Sequence, residues 1–448
     1  MWIGVDDTDS PRGGCTTHVL TEIVRVARDH GIDVLGEPRL VRLNPNIPWK
    51  TRGNAALAVR LGAGLGPRTQ VGEIDGRPVW AYARGRPVPA TTRSTLLDAL
   101  WEAVLAGSQS DPATDPAMVV GDRPLPATLY DRAVRSVVPL GDVEATLLAA
   151  GYASRVRGSR RGLVGASAAA AWPGRRATWE LLAYRRPGRE GLARQVSVSS
   201  VREVQARYPE LFLCYDARTR RMLVAPHTPC PILFGLRSTD PTYLRSAARM
   251  VRSEPVDRWL RFRTNQGTGD HVRLPVDGSL EPYSSGRLVG TVASPPTDLR
   301  GGHVRLELLD RHGDLVTCLA FEPSKTLPAV VRSLRPRETV KVWGGRGEDA
   351  TFRIEGIVLR ARPLVRCPGP LPRCPTCGRA AHSLGRGRGY RCPSCRRRLP
   401  PEARPTIVRA PTFGPGTYHP TPSARRHLAP TGPESDSVAS KRNRSPRR

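Results

Sequence analysis

Trp2-Ile3-Gly4-Val5-Asp6-Asp7-Thr8-Asp9-Ser10-Pro11-Arg12-Gly13-Gly14-Cys15-Thr16-Thr17 begins as a short buried strand, breaks into an acidic, glycine-containing turn, and ends where a helix starts. The helix is predicted over Thr16–Asp29, because Val19, Leu20, Ile23, Val24 and Val26 recur at helical spacing. Thr16 or Thr17 supplies the N-cap and Gly31 the stop. Three carboxylates crowded at a strand end repel one another unless a cation holds them, and Mg²⁺ is the usual cation where phosphate is handled. Gly13 and Gly14 let backbone amides approach phosphate oxygens at the helix N-terminus, which favours negative charge. Two readings stay open on these residues: an Mg²⁺-nucleotide site, or an acidic turn that caps itself. The P-loop pattern GxxxxGK[ST] is absent from the sequence.

Further along, strands are expected at Pro38–Leu43 and Ala55–Leu61 and a helix at Thr92–Leu105, followed by a Pro-rich acidic linker over Ser108–Pro126. Mixed helix and strand patterns then continue to about residue 283. From Arg287 the texture changes to five short strands, with a helix-like Leu327–Ser333 between the third and fourth, which fits an OB-type barrel.

Cys374-Pro-Thr-Cys377 and Cys392-Pro-Ser-Cys395 are two CxxC knuckles separated by 14 residues. Each puts two thiolates on one turn, and together they complete a closed tetrahedral sulfur site for structural Zn²⁺. The nine cysteines are odd in number, which suits metal binding in a reducing compartment better than a disulfide framework. Nine arginines and no acidic residue lie between Arg366 and Pro400, a composition suited to gripping an RNA backbone.

The whole chain of 448 residues carries 70 basic and 40 acidic side chains, net +30, so a polyanionic partner is expected. No apolar run approaches the ~20 residues of a membrane helix. The start of the chain turns acidic at once, so no secretion signal and a cytoplasmic protein are expected. Only four residues are lysine, and Lys50 is the first of them. It sits in Asn44-Pro45-Asn46-Ile47-Pro48-Trp49-Lys50-Thr51-Arg52-Gly53-Asn54, where a compact ammonium beside a phosphate explains Lys in an Arg-rich chain.

Ile3–Ser10 with Cys15-Thr16-Thr17, and Arg42–Asn54, together resemble the archaeal 2-agmatinylcytidine synthetases of a minor isoleucine tRNA. Arg161–Ala166, Phe234–Arg237 and Arg263–Thr268 extend the likeness to about residues 1–400. The resemblance implies a multi-domain α+β protein: an ATP-binding kinase-like domain (1–137), a ferredoxin-like domain (138–283), an OB-fold (284–362) and a zinc ribbon (366–400), while composition rich in Pro, Ser and Arg predicts a disordered basic tail (401–448) beyond the family core. It implies ATP-dependent activation of the C2 carbonyl of the wobble cytidine in the CAU-anticodon isoleucine tRNA. Agmatine then displaces the activated oxygen, giving a base that reads AUA. It also implies that Thr16 is phosphorylated by the enzyme itself.

On this reading Asp6, Asp7, Asp9, Thr16 and Lys50 are catalytic. Gly13, Gly14, Cys15, Thr17, Asn44, Asn46 and Arg52 bind ATP, and Cys374, Cys377, Cys392 and Cys395 hold zinc. The sequence departs from the family at Cys230 and Gly269, where acidic residues are expected. Asp216 and Asp270 are then candidates for agmatine's cationic end. Two alternatives are a nucleic-acid-binding protein without catalysis and an ATP-dependent kinase with another substrate.

Overall fold

The computed structural model describes residues 1–51, 53–109, 111, 114–275 and 281–430. Strand β1 (Trp2–Asp6) lies between β6 (Ala117–Gly121) and β4 (Ala55–Ile74), antiparallel to both. Alternation sends Trp2 to one face of the sheet and Ile3 and Val5 to the other, and each face is covered by a separate apolar cluster. Helices α1 (Thr16–Asp29) and α2 (Ala90–Gly107) cover the Ile3 face. Helices α3 (Ala127–Ala133), α4 (Leu140–Ala149) and α5 (Gly162–Ala171) cover the Trp2 face. Gly4 lets α5 approach, since a Cβ there would meet the Ala166 carbonyl oxygen at 2.2 Å.

The expected linker over Ser108–Pro126 is a correction: it contains β6, one of the two neighbours of β1. Ala117-Met118-Val119-Val120 is a short apolar run buried on both faces, and its flanking Pro and Asp residues disguise it.

One sheet runs through the first 270 residues. The remaining strands are β2 (Asp33–Leu35), β3 (Arg39–Arg42), β5 (Arg77–Arg86), β7 (Ala153–Val156), β8 (Thr178–Arg185), β9 (Leu211–Phe212), β12 (Ile232–Ser238) and β13 (Val256–Thr264). A small ribbon of β10 (Tyr215–Asp216) and β11 (Arg221–Met222) stands apart. The sheet order is β7-β6-β1-β4-β3-β13-β8-β12-β9. The seam is β13, which pairs parallel with β3 and antiparallel with β8 and β4. Gly72 permits it, because a Cβ there would sit 2.7 Å from the Trp259 carbonyl oxygen. Helices α6 (Val198–Arg207) and α7 (Leu244–Met250) bury a further cluster on the second half. Residues 140–171, which the sequence pattern assigns to the second unit, pack on the first.

The five expected barrel strands are present as β14 (Ser285–Val292), β16 (Val304–Leu309), β17 (Leu315–Ala320), β18 (Thr339–Arg346) and β19 (Phe352–Leu359). A two-residue strand, β15 (Thr297–Asp298), pairs with the start of β16. Pairing of β14 with β16 closes the barrel, and α8 (Thr326–Arg332) lies between β17 and β18. The ribbon module follows. Its stem pairs Val365–Pro368 with Thr406–Arg409.

The tail also differs from expectation. Gly416–Tyr418 adds a strand to β19, and Leu428 is buried in the cluster beneath α5. Tyr418 and Leu428 are apolar anchors in a Pro-rich context, which is why composition alone suggests disorder. Residues 431–448, the rest of that expected tail, lie outside the described residues. No helix among the described residues is long and apolar enough to cross a membrane.

Candidate functional site

A cavity of about 650 Å³ opens where the turn after β1, the first turn of α1, the loop after β3 and the start of α5 converge with β8 and β12. Its volume suits a nucleotide-sized ligand. Asp6, Asp7 and Asp9 line it together with Cys15, Thr16 and Thr17, and Lys50 lines it from the loop after β3, its ammonium on the Ile47 carbonyl at 2.9 Å. Leu40, Leu57, Leu182, Leu223, Val224 and Ile232 give an apolar lining.

The turn holds its acids under tension. Asp7 has φ 59°, a left-handed backbone costly for a residue with a Cβ. Burial raises the Asp6 carboxyl well above the usual range, with Asp7 and Asp9 adding to it. Asp7 is pushed up to about 7 by burial and by the neighbouring Asp115 and Asp9. A bound cation would offset the mutual repulsion of these carboxylates and favour their charged forms against burial, which is compatible with Mg²⁺ held together with substrate phosphates. Among the described residues the three carboxylates do not converge as a ready-made cage, in keeping with a metal that uses one or two carboxylates and substrate phosphates.

Gly165 on α5 makes room for Asp6, since a Cβ there would lie 1.7 Å from Asp6 Oδ2. Gly165→Ala is therefore expected to displace the Asp6 carboxylate. Activity should fall by about 100-fold or more with little change in thermal stability, checked by steady-state kinetics beside a melting curve. Unchanged kinetics would separate Asp6 from the reaction.

At the start of α1, Cys15 is the N-cap and its Sγ lies 2.9 Å from Thr17 Oγ1. Burial, then the nearby Cys230, pushes the Cys15 thiol up to about 11, so it is a neutral wall rather than a nucleophile at neutral pH. Gly13 and Gly14 stand behind this wall against Gln109. Asn44 and Asn46 point away from the cavity: Asn44 donates to the Tyr283 carbonyl at 2.8 Å and Asn46 to Ser285 Oγ at 2.7 Å, tying the loop to the barrel. Arg52 lies outside the described residues.

Asp216 and Asp270 are buried outside the cavity wall. Asp216 Oδ2 accepts from the Ser423 amide at 3.0 Å, and Asp270 Oδ2 accepts from the Tyr130 hydroxyl at 2.7 Å. Gly269 has φ 69°, and Pro430 fills the space a Cβ would need, so glycine is required there on backbone grounds.

Several wall residues escape the sequence reading. Glu180, 1% exposed, pairs with Arg237 at 2.9 Å and accepts a hydrogen bond from Gln266, whose Oε1 takes the His427 Nδ1 proton at 3.0 Å. Arg194 holds the wall segment 226–232, donating at 2.8 Å to the carbonyls of Pro226, Thr228, Cys230 and Ile232. Arg237 and Gln266 lie in the motifs Phe234–Arg237 and Arg263–Thr268, but no local pattern joins them to Glu180, Arg194 or His427, because these partners lie tens to hundreds of positions away.

The ribbon site is separate. Its four cysteine sulfurs lie within 4.8 Å of one another. The two knuckles repeat one geometry: the Gly378 amide donates to the Cys374 carbonyl at 2.8 Å and the Arg396 amide to the Cys392 carbonyl at 3.1 Å. Four converging thiolates with no fifth donor among the described residues fit structural zinc.

Comparison with known proteins agrees with this architecture. Family models match over residues 2–155 (TiaS TCKD domain), 160–271 (TiaS FLD domain) and 371–410 (TiaS C-terminal zinc ribbon domain). TiaS of Methanosarcina mazei, a 2-agmatinylcytidine synthetase of the minor isoleucine tRNA, is 35% identical over 444 residues, covering 96% of each chain. The crystal structure of TiaS in complex with that tRNA and ATP resembles the chain with a TM-score of 0.75 and 32% identity, over 96% of this chain and 95% of that one. The complex of TiaS with the tRNA, AMPCPP and agmatine has a TM-score of 0.75 and 32% identity, over 96% of each. The chain belongs to the TiaS family of isoleucine-tRNA 2-agmatinylcytidine synthetases.

Proposed function

We propose that this enzyme converts the wobble cytidine of the CAU-anticodon isoleucine tRNA to 2-agmatinylcytidine, using ATP and agmatine. One observation carries the reading: acids, a helix N-terminus, a lysine and an apolar wall line one cavity, in a chain whose relatives are solved with the minor isoleucine tRNA, AMPCPP and agmatine. The rival readings, binding without catalysis or a kinase with another substrate, leave that combination unexplained.

Chemically, the C2 oxygen of cytidine must first become a leaving group, by transfer of a phosphoryl group from ATP. The primary amine of agmatine then attacks C2 and the oxygen departs as phosphate. Asp6, Asp7 and Asp9 would hold Mg²⁺, which when bound neutralises triphosphate charge. The amides at the start of α1 and the Lys50 ammonium orient and stabilise the phosphates. Thr16, buried at that helix start, is the hydroxyl that self-phosphorylation would address.

The cytidine has to leave its stack to enter the cavity. Trp49, 46% exposed and with the Arg161 guanidinium 5.3 Å from its ring centre, offers a stacking face at the cavity wall. The first half of the long sheet reads as a kinase-like unit and the second as ferredoxin-like. The barrel reads as an OB-type RNA-binding module, and the zinc ribbon adds an arginine-rich grip.

The test is direct. Purified protein, ATP, labelled agmatine and the CAU-anticodon transcript are expected to give about one label per tRNA, and none when the wobble position is uridine. Failure to label the cytidine transcript under any condition overturns the assignment.

A further inference from the structure

A second cavity of about 480 Å³ continues from the main one, sharing Arg42, Lys50, Gly53 and His427 with it and adding Arg426 from the segment near the end of the chain. Its charged lining is Arg42, Lys50 and Arg426, and no carboxylate is among its lining residues. These cations are incompletely satisfied. The Nε of Arg42 is fully buried and has no hydrogen-bond partner among the described residues. Lys50, which lines both cavities, donates to one partner among the described residues, the Ile47 carbonyl at 2.9 Å. Its ammonium is disfavoured by burial and by the guanidiniums of Arg426 and Arg353.

Arg426 is held in place by Glu355 at 2.9 Å and by Asn46 at 2.6 Å, both through Nη1. Gly53 makes space for the arrangement, because a Cβ there would lie 2.6 Å from Arg42 Nη1. Like charges gathered in a partly buried hollow, with donors left over, call for an anion.

We propose that this second cavity is a phosphate site, occupied by a backbone phosphodiester of the tRNA next to the extruded cytidine. The inference rests on the function proposed above. Phosphate could come either from ATP or from RNA, and three features favour RNA. The metal-binding acids lie in the main cavity and not in this one, so a multiply charged triphosphate belongs there. A singly charged phosphodiester needs no metal, only donors and positive charge. Arg426 pairs with Glu355 of barrel strand β19 at 2.9 Å, which places this end of the cavity on the barrel side.

Arg426→Gln tests this, with Arg426→Lys as a control that keeps the charge. The glutamine variant is expected to bind the transcript about 10-fold more weakly and to lower the salt slope of log affinity by about one. Its KM for ATP should stay within about twofold, and lysine should restore most of the affinity. A raised KM for ATP with unchanged tRNA binding would overturn the RNA assignment and move the triphosphate into this cavity. Unchanged values for both would overturn the anion site. Wild-type protein that neither binds nor labels the transcript would instead defeat the function on which the inference rests.

Discussion

Asp7→Asn is expected to abolish agmatine transfer while making the protein harder to melt. In the folded chain the Asp7 carboxyl is pushed up to about 7 by burial and by Asp115 and Asp9. Unfolded, it titrates near the ordinary ~3.9. The folded state therefore holds the proton more tightly. The contribution of this group to stability falls as pH rises from about 4 to about 7, and is constant above that. Asparagine removes the penalty, so the variant should melt several degrees higher at pH 8 and show no difference at pH 4.

Catalysis should respond in the opposite direction. With the proposed role of Asp7 in holding Mg²⁺ on the triphosphate, losing the carboxylate should lower kcat/KM by about 10³ or more. In the wild type, Mg–ATP must displace a proton below pH 7. Its apparent affinity should then fall by up to about tenfold per pH unit, a dependence the variant lacks. An active Asp7→Asn protein, or one that melts lower at pH 8, would contradict the role given to this turn.

Removing zinc should have the other large effect. The ribbon has almost no apolar interior: apart from Cys374 and Cys392, only Pro372 and Ala381 are buried apolar side chains among the described residues. Metal binding to such modules supplies about 10–16 kcal/mol of folding free energy. Chelation, or Cys392→Ser, should leave residues 371–399 open to protease and weaken tRNA binding about 100-fold by disordering the arginine-rich surface. ATP binding in the long-sheet cavity should survive. If tRNA affinity is the same before and after metal removal, the ribbon does not grip RNA.

Much of this was legible locally. The strand–turn–helix around Asp6–Thr17 and the knuckles each declare themselves within twenty or so residues, and the barrel strands do so one by one. What escaped is non-local. Glu180, Arg237, Gln266 and His427 form one chain of contacts, yet they are separated by up to 247 positions. Asn44 and Asn46 look like phosphate binders in sequence but spend their amides on the barrel. The β6 strand hid in a run flanked by Pro and Asp. The joining of the two expected domains in one sheet depends on β13, a strand the sequence reading does not single out.

The segment that closes the cavities has one more consequence, in time rather than in space. A ribosome delivers Asp7 and Lys50 early and His427 near the end, after the barrel and ribbon have emerged. The phosphate-handling turn can fold within the first half of synthesis, but its pocket stays one wall short until residues 416–430 add to the barrel and seat Leu428. An unfinished chain would thus hold the acids without the enclosure that excludes water. The order of translation therefore completes the cavity only after the barrel and ribbon have been made.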